Sequence, residues 1–259
     1  MTLFQSILIA LVEGLTEFLP ISSTGHMILA STAMGIHEDE FVKTFEVFIQ
    51  LGAILAIALM YIKRFFKSLT IYYKLITAFL PTAVVGLLAY DYIKAYLFNP
   101  VVVSVSLILG GVILILMDRK VLQQETTVVE VEDLSYKNAF LIGLCQCLSM
   151  VPGTSRAAAT IIGGVFNGLN RKQATEFSFL LAVPTMLAAG GYDLLKTDLA
   201  FSNEQLLLLG IGFVVAFASA WAAVKLFLTY VSTHGFTAFG WYRIALGILF
   251  LIFMWGADL

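Results

Sequence analysis

The sequence predicts an all-α polytopic membrane protein made of two inverted-topology repeats, each one re-entrant helical hairpin plus three transmembrane helices. Three observations lead there. Sixty per cent of the 259 residues are hydrophobic and 12% are charged, and the mean hydropathy of +0.94 lies far above that of soluble domains. Six mostly apolar segments are each long enough to cross a hydrocarbon core of about 30 Å as a helix. Two further apolar regions are cut by proline and hydroxyl residues into halves too short to span. A formal net charge of −2 points to no nucleic-acid partner.

The chain opens on "MTLFQSILIA", with no basic residue ahead of its apolar run and no small-residue cleavage pattern, so it reads as part of the mature protein. Residues 3–34 form the first interrupted region. Its half-helices are expected to enter and leave from one side, which is tolerated at membrane depth where protein or a watery cavity surrounds them. Spans follow at 44–62, 75–97 and 101–117, completing an N-terminal repeat over 1–117. The polar stretch 118–137, "DRKVLQQETTVVEVEDLSYK", is the expected cytoplasmic linker. The C-terminal repeat, 138–259, follows the same plan, with an interrupted region at 138–168 and spans at 175–195, 205–230 and 238–257. Pro81 and Pro184 fall inside spans, where neighbouring helices can satisfy the freed backbone groups. Cys145 and Cys147, two apart in an apolar segment, suit neither a disulfide nor a four-ligand zinc site and read as small hydrophobes.

The halves resemble each other. Ser23 stands three residues after Pro20 in "FLPISST", and Ser155 three after Pro152 in "MVPGTSR". Glu46 and Glu176 open the next spans, and "ILGGVILIL" resembles "IALGILFLI". An odd number of spans per half requires opposite orientations. Basic residues agree: Lys63, Arg64, Lys67, Lys74, Arg119, Lys120, Lys137, Arg171 and Lys172 fall in the cytoplasm when both termini are outside, leaving Lys43, Lys94 and Lys196 outside. The broken hairpin tips are then expected to meet near the midplane.

The chemistry-bearing residues gather at those breaks. Glu13 and Glu17 are four apart, hence on one helical face, in a segment where an ionised carboxylate is costly. A shared divalent cation, Mg²⁺ or Ca²⁺, would account for them; pairing with basic residues or a place at the membrane surface is the plainer alternative. Pro20, Ser22, Ser23 and Thr24 look like a helix start with a hydroxyl cap, a natural anion site. "PGTSRAAAT" repeats the device with Thr154 or Ser155 as cap, and Arg156 adds a fork of donors for phosphate oxygens. Ordinary capping explains either motif alone. His26, three residues after Ser23, shares its face. The pair could be nucleophile and base, or the histidine could activate water or protonate a leaving group. Glu46 and Gln50 are polar on an apolar span, equally suited to supporting the site or to helix–helix hydrogen bonding. Glu176, Lys225 and Arg243 are expected to pair or snorkel near the cytoplasmic face.

These motifs together resemble bacterial undecaprenyl-pyrophosphate phosphatases, the integral membrane family associated with bacitracin resistance. "EGLTEFLPISSTGHMIL" is similar to the family's first signature and "PGTSR" with Thr160 to its second, while "KTFEVFIQLGAILA", "EFSFLLAVP" and the Tyr-Arg pair at 242–243 fit the pattern between and after. The resemblance implies hydrolysis of a C55 polyprenyl diphosphate to the monophosphate, with a divalent cation. By position it makes Glu13 and Glu17 the family's acidic pair, Ser23 and His26 its catalytic serine and histidine, and Ser155 and Arg156 its phosphate-binding pair; taken with the reading of the breaks, Glu13 and Glu17 would hold the metal, and Glu17 and Arg156 would join the catalytic group. Ser22, Thr24, Thr154, Ser155, Arg156, Thr160 and Gln50 would bind phosphate. It also implies a bacterial inner membrane location and a site open to the outer side. The expected partners are the lipid diphosphate, membrane lipids and, as an open alternative, a second copy of the chain in a homodimer. One departure is clear: Ala157-Ala158 replaces the family's usual Ser-Gly. A flippase or transporter for a polyprenyl phosphate is the competing reading, because broken helices in inverted repeats also build transporters. A purely structural scaffold would strand many polar groups at depth.

Overall fold

The computed structural model describes residues 1–67, 69–96, 100–121, 130–196 and 200–256. Its helices are α1 (Leu3–Thr16), α2 (Ser23–Ala33), α3 (Glu40–Met60), α4 (Ile62–Lys67), α5 (Leu69–Tyr96), α6 (Pro100–Val121), α7 (Tyr136–Cys147), α8 (Arg156–Phe166), α9 (Arg171–Lys196), α10 (Asn203–His234) and α11 (Thr237–Gly256).

The four helices of the interrupted regions, α1, α2, α7 and α8, are short for local reasons. Thr2 and Gln5 close a capping box that starts α1. The helix stops as the chain approaches Pro20, which has no N–H and disfavours helical backbone before it. Pro152 and Gly153, the latter at φ +88°, end the run after α7 in the same way. The 14 residues of α1 reach about 21 Å and the 11 of α2 and α8 about 16 Å, well short of a bilayer core. Both interrupted regions are therefore helical hairpins.

Five helices, α3, α5, α6, α9 and α10, are long and apolar enough to cross a membrane. The expected sixth span is α11, whose described apolar run, Thr237–Ile252, is shorter. The linker expected at 118–137 is narrower than its polarity suggested. Residues 118–121 continue α6, and α7 already begins at Tyr136, capped by Ser135; residues 122–129 lie outside the described residues. Pro81 and Pro184 sit inside α5 and α9 as expected.

The hairpins start from opposite ends of the bundle. The Met1 ammonium lies 3.9 Å from Asp39 at the start of α3, and the two line one cavity of about 410 Å³ with Ser202 and Glu204 at the start of α10. At the other end Arg64, just beyond α3, pairs with Glu132 ahead of α7 and with Glu176 near the start of α9. Lys74 of α5 donates to the Glu132 carbonyl, and Asp118 at the end of α6 pairs with Arg171 and accepts from Phe236 and Thr237 N–H at the start of α11. This arrangement fits two inverted repeats. The helix pairing is likewise reciprocal: α1 lies along α10 and α7 along α5, while α6 packs on α11 and α3 on α9 between the halves. Phe18, Phe177, Phe179, Phe227 and Phe236 belong to the main core.

Candidate active site

The two breaks share an uncommon backbone. Ser22 and Ser155 are the non-glycine residues with positive φ among those described, each at +71°, a conformation that costs an ordinary residue about 1–3 kcal/mol and recurs at functional sites. Each caps the helix after it: Ser22 Oγ accepts from Gly25 N–H at 3.4 Å and Ser155 Oγ from Ala158 N–H at 3.2 Å. The remaining N–H groups of each first turn lack intrahelical acceptors and carry the positive end of the helix dipole. The spacing from Leu3 to Tyr136 equals that from Ser22 to Ser155 and from Ser23 to Arg156, so both hairpins keep one register from their first residue. That register corrects the alignment expected from the prolines, which paired Ser23 with Ser155. Structurally Ser22 matches Ser155, Ser23 matches Arg156, and Glu13 matches Gln146, because Pro152 stands one residue further from its cap than Pro20.

Glu17 joins the halves. One of its oxygens accepts from Arg156 Nη2 at 3.0 Å and the other from Ser23 Oγ at 2.5 Å. Arg156, its side chain 10% exposed, lies 5.5 Å above the Phe18 ring, a cation–π contact. Its Nη1 donates to the Ser178 carbonyl at 3.1 Å and to Ser178 Oγ at 3.4 Å. Thr160, expected to bind phosphate, donates to the Arg156 carbonyl at 2.9 Å and lies 2.6 Å from Ser178 Oγ, from which it can accept, and this braces the arginine from behind. Ser178 was not singled out from the sequence, where "EFSFLLAVP" shows one hydroxyl on an apolar run.

His26 makes different contacts from those its spacing suggested. Nδ1 lies 2.8 Å from the Ser22 carbonyl and Nε2 lies 2.6 Å from the Tyr242 hydroxyl, while Ser23 turns to Glu17. Thr24 and Gln50 are half-buried, and no described hydrogen bond ties either to the group. Ala157 and Ala158 are buried in the core, so the apolar replacements fill packing space.

Arg243 is the largest correction. It does not snorkel to the cytoplasmic face: it is 0% exposed, between the two breaks. Its fork donates from Nη1 to the carbonyls of Pro20 at 3.0 Å and Thr154 at 2.9 Å, from Nη2 to those of Gly153 at 3.0 Å and Ser106 at 3.1 Å, and from Nε to that of Leu107 at 3.3 Å. All five guanidinium hydrogens are accounted for. Gly110 makes room for it, since a Cβ there would strike the guanidinium. Glu176 does pair, with Arg64, and Lys225 is exposed with its ammonium over Trp221.

Among the described residues, four buried side-chain polar atoms have no hydrogen-bond partner: both Glu13 oxygens, Glu46 Oε1 and Arg156 Nε. Glu13 is 0% exposed and lies within electrostatic reach of Glu17, Glu46 and Arg156. Uncompensated carboxylate oxygens at such a site call for a cation or a proton. Among the described residues no group of three or more His, Cys, Asp or Glu is arranged to hold a metal. A hard cation that takes one or two carboxylates and fills its remaining positions with water and substrate phosphate still fits Glu13. Glu17 fits less directly, since both of its oxygens are engaged.

Residues 6–249 match the family described as bacitracin resistance protein BacA. The chain is 51% identical to an undecaprenyl-diphosphatase of Wolinella succinogenes over 98% of this chain and 99% of that one. It is 47% identical to one of Flavobacterium johnsoniae, covering 97% and 96%, and 46% identical to one of Aquifex aeolicus, covering 98% and 99%.

Proposed function

The chain belongs to the bacitracin resistance protein BacA family, and from that premise we propose that it hydrolyses undecaprenyl diphosphate to the monophosphate and phosphate, recycling the lipid carrier of cell-wall synthesis. The observation that carries this reading is the unbroken path Ser23–Glu17–Arg156. It brings a nucleophile, an acceptor for its proton and a phosphate-binding cation into contact across the two halves.

The geometry favours Glu17 over His26 as the base for Ser23. Ser23 Oγ attacks the terminal phosphorus while its hydrogen passes to Glu17, already 2.5 Å away. Arg156 exchanges Glu17 for phosphate oxygens, aided by the first-turn N–H groups of α2 and α8. The bond from phosphorus to the bridging oxygen breaks, and the lipid monophosphate leaves. A water that gives its proton to His26 Nε2 then attacks the phosphoserine, and Ser23 departs with the proton held by Glu17. Positioning and charge neutralisation supply most of the rate in such transfers. A divalent cation, Mg²⁺ or Ca²⁺, would be held by Glu13 and by the Glu17 oxygen that Arg156 vacates, and would offset charge on the phosphate.

The reading places the chain in the bacterial plasma membrane with the site open outward. Ion pairs of Arg64 with Glu132 and Glu176 tie the halves across the end rich in basic residues, whereas at the other end Lys43 pairs with its neighbours Glu38 and Glu40. The test is phosphate release from polyprenyl diphosphate by the purified protein in detergent, with loss on chelation and in Arg156→Ala. A labelled phosphate trapped on Ser23 supports the serine route; near wild-type hydrolysis by Ser23→Ala would replace it with direct attack on the phosphorus by a water that gives its proton to His26. No release under varied cations and detergents would favour a lipid transporter.

A further inference from the structure

We infer that Tyr242 is a positioning residue for His26, holding the imidazole as a neutral base whose Nε2 waits at the mouth of the site; the inference rests on the hydrolytic reading above. The Ser22 carbonyl, 2.8 Å from Nδ1, can only accept, so Nδ1 carries a hydrogen and Nε2 of the neutral ring carries the lone pair. The Tyr242 hydroxyl, 2.6 Å from Nε2, therefore donates to it. The two rings are parallel within 2°, with centroids 5.6 Å apart. Tyr242 is 45% exposed and His26 is half-buried.

The phenol is itself held in place. Tyr242 precedes Arg243, whose guanidinium fastens this turn of α11 to the backbone of both hairpin breaks. The far half of the chain thereby fixes the orientation of a ring on α2. Without the hydroxyl, His26 keeps its Nδ1 bond to Ser22 and loses the second point that fixes Nε2. With substrate bound, the water that attacks the phosphoserine sits between the two groups, donating one hydrogen to Nε2 and accepting from the Tyr242 hydroxyl, so the phenol still fixes the base and its water.

The experiment compares full-length wild type, Tyr242→Phe, His26→Gln and the double variant in detergent micelles. Tyr242→Phe should elute and melt as wild type, lower kcat about two- to tenfold, as loss of one hydrogen bond predicts, and leave KM nearly unchanged. In the His26→Gln background it should cost nothing further, since the tyrosine acts through the imidazole. An equal loss in both backgrounds, or a rise in KM without a fall in kcat, would overturn the inference. Nitrogen NMR of protein labelled at its three histidines tests the contact apart from turnover. The His26 Nε2 resonance, assigned by its loss in His26→Gln, should move in Tyr242→Phe; an unmoved resonance overturns the inference even in an active enzyme. A wild type that releases no phosphate while that resonance moves defeats the hydrolytic reading and leaves the positioning contact standing.

Discussion

Replacing Arg243 by lysine keeps the charge and removes the fork. Lysine offers three donors at one point, which cannot reach the carbonyls of Pro20, Gly153, Thr154, Ser106 and Leu107 that the guanidinium serves from three nitrogens. The carbonyls of Ser106 and Leu107 belong to the helical ladder of α6, but those of Pro20, Gly153 and Thr154 lie in the breaks. Hydrogen bonds within membrane proteins average about 0.6 kcal/mol, and those to charged groups elsewhere reach about 1.5 kcal/mol or more. Losing three of them costs about 2–4 kcal/mol, which lowers the melting temperature of a chain this size by about 5–15 °C. Because the bonds lost are the ones that hold the tips together, activity should fall further than stability. Phosphate release measured well below the melting point should drop at least tenfold, while thermal unfolding in the same detergent reports the smaller change. A lysine variant that melts and turns over like wild type would refute the view that the fork sets the distance between the breaks.

Further predictions follow from the same contacts. Glu17→Gln, which weakens both the Arg156 pair and the acceptor for Ser23, should lose more activity than any other single carboxylate change; Glu13→Gln, with no partner to lose, should chiefly raise the cation concentration needed for half-maximal rate. Ser178→Ala leaves Arg156 its bond to the Ser178 carbonyl and should raise KM about two- to tenfold with kcat near wild type, read by initial rates over a range of lipid diphosphate. Gly110→Ala pushes a methyl group into the Arg243 guanidinium and should lower both melting temperature and activity, whereas Gly210→Ala, with open space around it, should change neither. Asp118→Asn weakens the pair with Arg171 and the cap on α11, and should destabilise the fold by about 1–3 kcal/mol while the chemistry below the melting point is kept.

The helices and their breaks were legible because both follow from the nearest neighbours in sequence. Pro20, the Pro152–Gly153 pair and the hydroxyl runs interrupt segments that apolar composition would otherwise make continuous. The exact register was not legible, because proline need only disturb the helix end and does not occupy one fixed place relative to the cap. Ser23, Glu17 and Arg156 were found as chemical types at costly depth, but the partner of each is set by tertiary packing. Spacing along α2 suggested Ser23 and His26 as a pair, whereas Ser23 turns to Glu17 and His26 to Tyr242. Arg243 was misplaced for a related reason. A lone arginine beside Trp241 and Tyr242 has the composition of a membrane-interface belt, and only the fold shows five carbonyls converging on it.

The matched register of the hairpins bears on how such a site could be built at all. At the position after the left-handed serine, one hairpin carries Ser23 and the other Arg156; ahead of each break, Glu13 of the first occupies the position that Gln146 holds in the second. An assembly of two identical first halves would hold two nucleophiles and four carboxylates with no arginine to receive a phosphate. Two identical second halves would hold two arginines with nothing to attack. Symmetry supplies the cradle, and asymmetry within it supplies the reaction, so a working site of this design requires two unlike halves, and this chain joins them in one polypeptide.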